Sequence, residues 1–165
     1  MSEEAGTKRY AIFLTAAFLV ICGFAITQHE MWRDEIQAWL LARDSASLSD
    51  LFRNLKYDGH QGLWHLILMP LARITTSPAI MQFTHLLIAS TTVYLTAGYS
   101  PFSRLQKFLI VFGYFYCYEY ALISRNYGLG VLFITLFASC LKSVIRIFSS
   151  SLLSSFFYHI RIRTA

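Results

Sequence analysis

The chain has 165 residues, of which 56% are hydrophobic and only 14% are charged, and its mean hydropathy is +0.49. In a soluble domain roughly a quarter of the residues are charged, so this composition predicts an integral membrane protein. The net charge of +5 does not indicate nucleic-acid binding, because Lys and Arg occur singly or in pairs beside apolar runs. The three cysteines are far apart and lack the spacing of a metal or redox site.

The first apolar run covers residues 10–27 and follows Lys8 and Arg9. It is nearly long enough to cross about 30 Å of hydrocarbon at about 1.5 Å per residue. It ends in His-Glu-Met-Trp-Arg rather than at a small-residue cleavage site, which indicates an uncleaved transmembrane helix. With the two basic residues held inside, we expect a cytoplasmic N-terminus and an outer-face exit.

Residues 29–60 form the longest polar stretch, with six acids against four bases. That balance suits an external loop. Apolar residues repeat at helical spacing at Ile36, Trp39 and Leu40, and again over residues 48–55. The pattern predicts two short amphipathic helices that lie on the membrane surface.

Four further apolar runs follow, at residues 63–74, 79–98, 108–123 and 127–141, before an atypical tail at residues 143–165. If every run crosses, Arg104 and Lys107 lie outside, against the positive-inside bias. If the short run containing Pro70 and Arg73 only dips into the membrane, Arg104, Lys107, Lys142 and Arg146 are all internal. We favour this re-entrant arrangement, and a full hairpin remains the alternative. All segments are assigned to one polytopic, all-α membrane domain.

The run at residues 79–98 places small and polar side chains on one helical face: Gln82, His85, Ala89, Thr92 and Thr96. A packing surface against a neighbouring helix is the favoured interpretation. A polar lining for a substrate channel is the alternative.

Asp34 and Glu35 are the first candidate for chemistry, at the start of the external loop. A carboxylate at the outer surface can remove a proton from an acceptor hydroxyl or hold a cation against a phosphate. The structural alternative is that Asp34, three residues before Gln37, caps a helix and that Glu35 is a solvated first-turn acid. Ser47 and Asp50 have the same capping offset.

Glu119 and Arg125 are the second candidate, within a tyrosine-rich segment. An acid near or within a membrane segment is costly, and an Arg guanidinium matches the oxygens of a phosphate leaving group. The structural alternative is a local ion pair between the two, which requires a break or turn because a separation of six residues does not place them on one helical face.

These residues occur in a recognisable order: one long helix, an external loop that opens with Trp32 and Asp34-Glu35, Gly59-His60 at the end of that loop, and Arg125-x-Tyr127. The order resembles the GT-C superfamily of integral-membrane glycosyltransferases. It is most similar to the branch of the protein mannosyltransferases, the lipid A aminoarabinose transferases and the bacterial Rgt-type enzymes. The resemblance covers residues 10–142 and implies the N-terminal part of a GT-C fold, multi-pass in the plasma or inner membrane.

The resemblance implies a transferase that takes a sugar from a polyprenyl-phosphate-linked donor, with its chemistry on the extracytoplasmic face. Asp34 would be the catalytic base or the acid that orients the acceptor, with Glu35 assisting. The expected reaction is an inverting displacement in which Arg125 or a divalent cation stabilises the departing polyprenyl phosphate.

Four positions carry substrate-binding roles by the same resemblance. His60 falls where the family often has Gly-His-Pro-Pro at the rim of the active site. Arg125 and Tyr127 match the family's Arg-x-Tyr, which is expected to face the donor phosphate or sugar. Glu119 corresponds less closely, because many relatives place the acid immediately before that Arg.

The chain also departs from the family. Gln61-Gly62 stands where two prolines are common, relatives are several times longer, and residues 149–165 are unlike the family. We therefore expect a truncated or frameshifted member, in which activity is lost if the donor cavity lacks its walls. The alternative is a non-enzymatic small membrane protein, an assembly partner or a remnant. A transporter subunit that uses Glu119 and His85 as proton-relay groups is a third interpretation.

Overall fold

The structure, a computed structural model, describes residues 2–56 and 62–163, with side chains over residues 4–56 and 62–145. The described residues are all-helical and contain no β-strand, as the sequence predicts. Seven α-helices and one π-helix, π1, follow one another in these ranges: α1 Ser2–Ile26, α2 Arg33–Asp44, α3 Leu48–Leu55, α4 Leu63–Ile74, α5 Ala79–Tyr99, α6 Arg104–Val111, π1 Phe115–Glu119 and α7 Tyr127–Arg163.

Two of the described helices are long and apolar enough to cross a membrane: α1 over Glu4–Ile26 and α7 over Tyr127–Ile145. Their outward faces carry large apolar side chains such as Phe13, Phe24 and Phe137, each at least 70% exposed. An aqueous surface rarely presents such a contiguous apolar area, whereas lipid accommodates it.

The central helix α5 lies between α1 and α7. Gly98 approaches Ala11 and Gly23 approaches Leu86, so α1 and α5 run antiparallel. His85 lies against Gly128, and Lys142 Nζ donates to the Tyr99 carbonyl at 2.8 Å, so α5 and α7 run parallel. The polar face predicted on α5 is buried at all five positions, as a packing surface requires.

Both ends of this bundle carry basic residues, including Arg53 and Arg125 at the end that also holds most of the acids. The basic end holds Lys8, Lys107 and Lys142 beside the C-terminus of α5. The acidic end holds Asp34 and Glu35, near the start of α7. The segment formed by α6 and π1 runs from the first end to the second.

The short helices α2 and α4 pack at the acidic end around a second apolar cluster that includes Trp39, Trp64 and Leu68. α4 has 12 residues and is about 18 Å long at 1.5 Å per residue, shorter than a bilayer core of about 30 Å. Arg73 near its C-terminus donates to the carbonyl of Ser45, which holds that end beside the C-terminus of α2.

The segment at residues 108–123 differs from the single transmembrane helix that the sequence predicts. α6 ends at Val111, and a turn at Gly113 separates it from π1. A side-chain carbon added at Gly113 would lie 2.9 Å from the Leu109 carbonyl oxygen, so the turn is too tight for a larger residue.

The helix predicted at residues 127–141 also continues further. α7 runs through the predicted tail to Arg163, because the serines of the tail do not end a helix as Pro or Gly does.

The orientation of the bundle can be tested by cysteine labelling, since Ser49 and Ser103 are exposed at opposite ends. The positive-inside rule predicts that the basic end faces the cytoplasm. In a background without Cys22, Cys117 and Cys140, we expect a membrane-impermeant maleimide to label Ser49→Cys on intact cells. Ser103→Cys should react only after permeabilisation. The opposite labelling pattern would contradict this orientation.

The contact between α5 and α7 depends on the absence of a side chain at Gly128. A carbon added there would lie 2.7 Å from His85 Nε2, whereas Gly130 has no atom within 4 Å of the same position. We expect Gly128→Ala to lower the free energy of unfolding by about 1–3 kcal/mol through overpacking. Gly130→Ala should be neutral or stabilising, because Ala is favoured over Gly in a helix by about 1 kcal/mol. Thermal unfolding in detergent micelles compares the two variants, and equal losses would disprove the assigned contact.

Candidate functional site

Glu35 is fully buried and joins three backbone segments at the acidic end. Its Oε2 accepts hydrogen bonds from the Trp32 amide at 2.8 Å and from His29 Nε2 at 3.0 Å. Its Oε1 accepts from the Ser124 amide at 2.6 Å. A carboxylate oxygen can only accept here, so the His29 ring carries its proton on Nε2. Glu35 therefore fixes the loop after α1 and the turn before α7 to the start of α2.

The start of α2 differs from the expected cap. The helix begins at Arg33 after Trp32, so Asp34 occupies its second position and is not the N-cap. Glu35 occupies the third position and reaches back to the Trp32 amide, the role that Glu has in a capping box. The alternative of a solvated Glu35 is wrong, because the side chain is fully buried and both of its oxygens are hydrogen-bonded. The cap predicted for α3 is confirmed, since Ser47 Oγ accepts from the Asp50 amide at 3.1 Å.

Asp34 and Arg125 meet across the fold. Asp34 Oδ2 lies 3.3 Å from a terminal nitrogen of Arg125, and the two side chains are 52% and 20% exposed. The Arg125 guanidinium also lies over the Tyr127 ring, 5.2 Å from its centroid. The structure thus brings together three of the residues that the sequence predicts for the site. Because the Asp34 carboxylate is half exposed, this ion pair contributes at most about 1 kcal/mol to folding.

His85 holds the backbone of Arg125 through a buried hydrogen bond. The side chain is fully buried, its Nε2 lies 2.9 Å from the Arg125 carbonyl oxygen, and its ring packs edge-on against Trp64 at 5.5 Å. An N–H on Nε2 donates to that carbonyl and holds the backbone of Arg125 in place. The other ring nitrogen, Nδ1, lies 3.4 Å from the Ala121 carbonyl oxygen, so both nitrogens face backbone carbonyls.

Glu119 has a different hydrogen-bond partner from Asp34 and Arg125. Its Oε1 accepts a hydrogen bond from the Tyr114 hydroxyl at 2.9 Å. Together with Tyr127 it borders a cleft of about 420 Å³ whose remaining walls are mostly apolar. Asn126 also lines the cleft, and its buried Oδ1 has no hydrogen-bond partner among the described residues. A ligand with a polar group could satisfy that acceptor.

His60 falls outside the described residues, so its position relative to Asp34 remains a prediction. Within the described residues, no three His, Cys, Asp or Glu side chains come together as metal ligands do.

Two contributors to the site were missed from the sequence. No pattern in the sequence assigns a role in the site to His29 or Ser124. Because Trp is not a usual N-cap residue, the offset of three between Trp32 and Glu35 is only a weak signal for the capping role of Glu35. The contact between Glu35 and Ser124 joins residues 89 positions apart in the chain, so no local sequence pattern predicts it.

The fold and this site define an all-helical protein with two helices that could span a membrane. No protein-family model, no curated protein and no solved structure matches the chain.

The role of Glu35 can be tested by removing only its charge. We expect Glu35→Gln to lower the free energy of unfolding by about 2–4 kcal/mol, because an amide cannot accept at both positions and three donors, one of them fully buried, lose a charged acceptor. Glu30→Gln removes a carboxylate from an exposed position of the same loop and should change stability by less than about 0.5 kcal/mol. Thermal unfolding in detergent micelles measures both. Equal stability of the two variants would disprove the tethering role.

Proposed function

We propose that the chain is the N-terminal part of a GT-C-type glycosyltransferase, which transfers a sugar from a polyprenyl-phosphate-linked donor to an acceptor on the extracytoplasmic face. On this proposal the segments α1, α5, α6–π1 and α7 all cross the membrane. The acidic end of the bundle then faces outward and the basic end faces the cytoplasm.

One observation carries the proposal: Asp34 and Arg125, which are 91 positions apart in the numbering, lie 3.3 Å apart beside Tyr127. Three of the residues that carry the family resemblance are thus neighbours in space. They also remain partly open to solvent, which a substrate requires. Glu35 and His85 hold the backbone on both sides of this group but are themselves buried.

The chemistry assigned to these residues is a single displacement. Asp34 accepts the proton of the acceptor hydroxyl while the hydroxyl oxygen forms a bond to the anomeric carbon of the sugar. The bond between that carbon and the phosphate oxygen breaks, and its electron pair leaves with the polyprenyl phosphate. Arg125 donates two parallel hydrogen bonds to the departing phosphate, whose charge increases in the transition state.

The cleft next to Tyr127 suits the donor. Its apolar walls, which include Phe115 and Ile134, can hold the first isoprene units. Asn126 and Glu119 supply the polar groups that a sugar needs. Glu35 has a positioning role in this mechanism, because its bonds to Trp32 and Ser124 set the distance between Asp34 and Arg125.

The alternative is a non-enzymatic membrane protein in which Asp34 and Arg125 only fasten the external helices to the bundle. The hydrogen bonds of Glu35 and His85 favour this candidate, since both acid and imidazole are used for structure. On this reading the pair of Asp34 and Arg125 affects stability and nothing else.

A transfer assay distinguishes the two functions. The purified chain is given polyprenyl-phosphate-linked sugars, and released polyprenyl phosphate is measured. We expect Asp34→Asn to reduce turnover about 10²–10⁴-fold, the usual contribution of a general base. Arg125→Lys should also reduce turnover, because Lys keeps the charge but loses the bidentate geometry.

Asp44→Asn and Arg33→Lys are the matched controls, since both residues lie on α2 at more exposed positions. Unchanged turnover in Asp34→Asn would overturn the assigned role. No turnover by the native chain with any donor, together with altered thermal stability in Asp34→Asn, would support the non-enzymatic alternative.

A further inference from the structure

The basic end of the bundle contains a second cavity, far from Asp34. It has a volume of about 640 Å³ and lies between α1, the C-terminus of α5, α6 and α7. Its walls combine ammonium groups with hydroxyl and aromatic side chains, and include Lys8, Tyr94, Tyr99, Ser100, Lys107 and Lys142.

Lys107 is held in this wall by a defined contact. The residue is only 7% exposed, and its Nζ donates to the Ala97 carbonyl at 2.7 Å. In a continuing helix that carbonyl would accept from the amide four residues later, but Pro101 has no N–H. The ammonium takes the place of the missing donor, which explains why a lysine is buried here.

Lys142 approaches the same helix end from α7. Its Nζ donates to the Tyr99 carbonyl at 2.8 Å, so the two ammonium groups bind carbonyls that are two residues apart. Each ammonium has three donors, and among the described residues the structure gives each of them this one hydrogen bond. Two positive charges with unused donors therefore share one cavity, where an anion would relieve their repulsion.

The other polar groups of the cavity add no net negative charge, and one of them lacks a hydrogen-bond partner among the described residues. Lys8 lies in the wall together with Glu4, and the two form an exposed ion pair at 3.3 Å, so this pair is neutral. The buried hydroxyl of Ser100 has no hydrogen-bond partner among the described residues. An anion oxygen in the cavity would give this hydroxyl an acceptor.

We propose that this cavity binds a phosphate-bearing anion, through the ammonium groups of Lys107 and Lys142. An anionic phospholipid headgroup and free phosphate both present this chemistry. Basic residues at the cytoplasmic ends of membrane helices attract anionic lipids, and Tyr94 and Tyr99 suit the interface between water and hydrocarbon. The site is independent of Asp34 and of sugar transfer.

Native mass spectrometry of the full chain from neutral detergent tests the proposal. The chain is titrated with phosphatidylglycerol, and with phosphatidylcholine as the zwitterionic comparison. We expect phosphatidylglycerol to bind at least about tenfold more tightly. Lys107→Gln with Lys142→Gln should weaken its binding at least about tenfold, the effect of losing roughly one charge-assisted hydrogen bond.

The matched control is Arg53→Gln with Lys56→Gln, which removes two positive charges at the opposite end of the bundle. It should bind phosphatidylglycerol as the native chain does. Inorganic phosphate is then added at millimolar concentration. Displacement of the lipid would identify phosphate alone as a sufficient ligand, whereas retention would identify the lipid headgroup as the source, and both results support the site.

Equal affinity of the native chain and the Lys107/Lys142 double variant for phosphatidylglycerol would overturn the proposal, as would an equal loss in the control. If the double variant does not fold, Lys142→Gln alone serves, because Lys142 lies at an exposed position of α7. It should bind at least about threefold more weakly, and Lys142→Arg should restore binding. Native affinity in Lys142→Gln would equally overturn the proposal.

Discussion

A single buried carboxylate determines how the acidic end of this protein is assembled. Burying an ionised Glu costs several kcal/mol unless its oxygens are hydrogen-bonded, and Glu35 meets that condition only when His29, Trp32 and Ser124 are all in place. The loop after α1, the start of α2 and the turn before α7 are therefore coupled. Asp34 immediately precedes Glu35 and Arg125 immediately follows Ser124. The contact between Asp34 and Arg125 therefore follows from the same constraint.

The central helix α5 forms hydrogen bonds with several neighbouring segments and so fixes their positions in the bundle. A fully apolar helix would pack without specifying a rotation, whereas the buried polar face of α5 gives each neighbour a distinct partner. His85 holds the Arg125 carbonyl at one end, Thr96 meets the Tyr116 hydroxyl, and Lys107 takes the Ala97 carbonyl at the other. Each unmet bond in an apolar setting costs more than in water, so the register of the helices is well defined.

Local patterns in the sequence predicted the elements that depend on local physics. The periodicity of residues 36–40 and 48–55 predicted α2 and α3, and Ser47 caps α3 as its spacing suggested. Prediction failed where a distant contact decides. The sequence left Glu35 open between a catalytic role and a solvated acid, because its partner Ser124 is remote in the chain. It did not indicate the turn at Gly113, because one glycine in an apolar run is usually tolerated.

The sequence by itself determined that the chain is helical and apolar, and where most helices begin, because hydropathy and periodicity act within a few turns. It also indicated which acids and bases stand at helix ends. Only the tertiary structure decided which of them meet: Asp34 with Arg125 at one end of the bundle, and Lys107 and Lys142 with the terminal carbonyls of α5 at the other. The physical reason is that the packing of whole helices determines which group lies next to a buried charge. The residues that meet are far apart in the chain, so no local pattern indicates the contact.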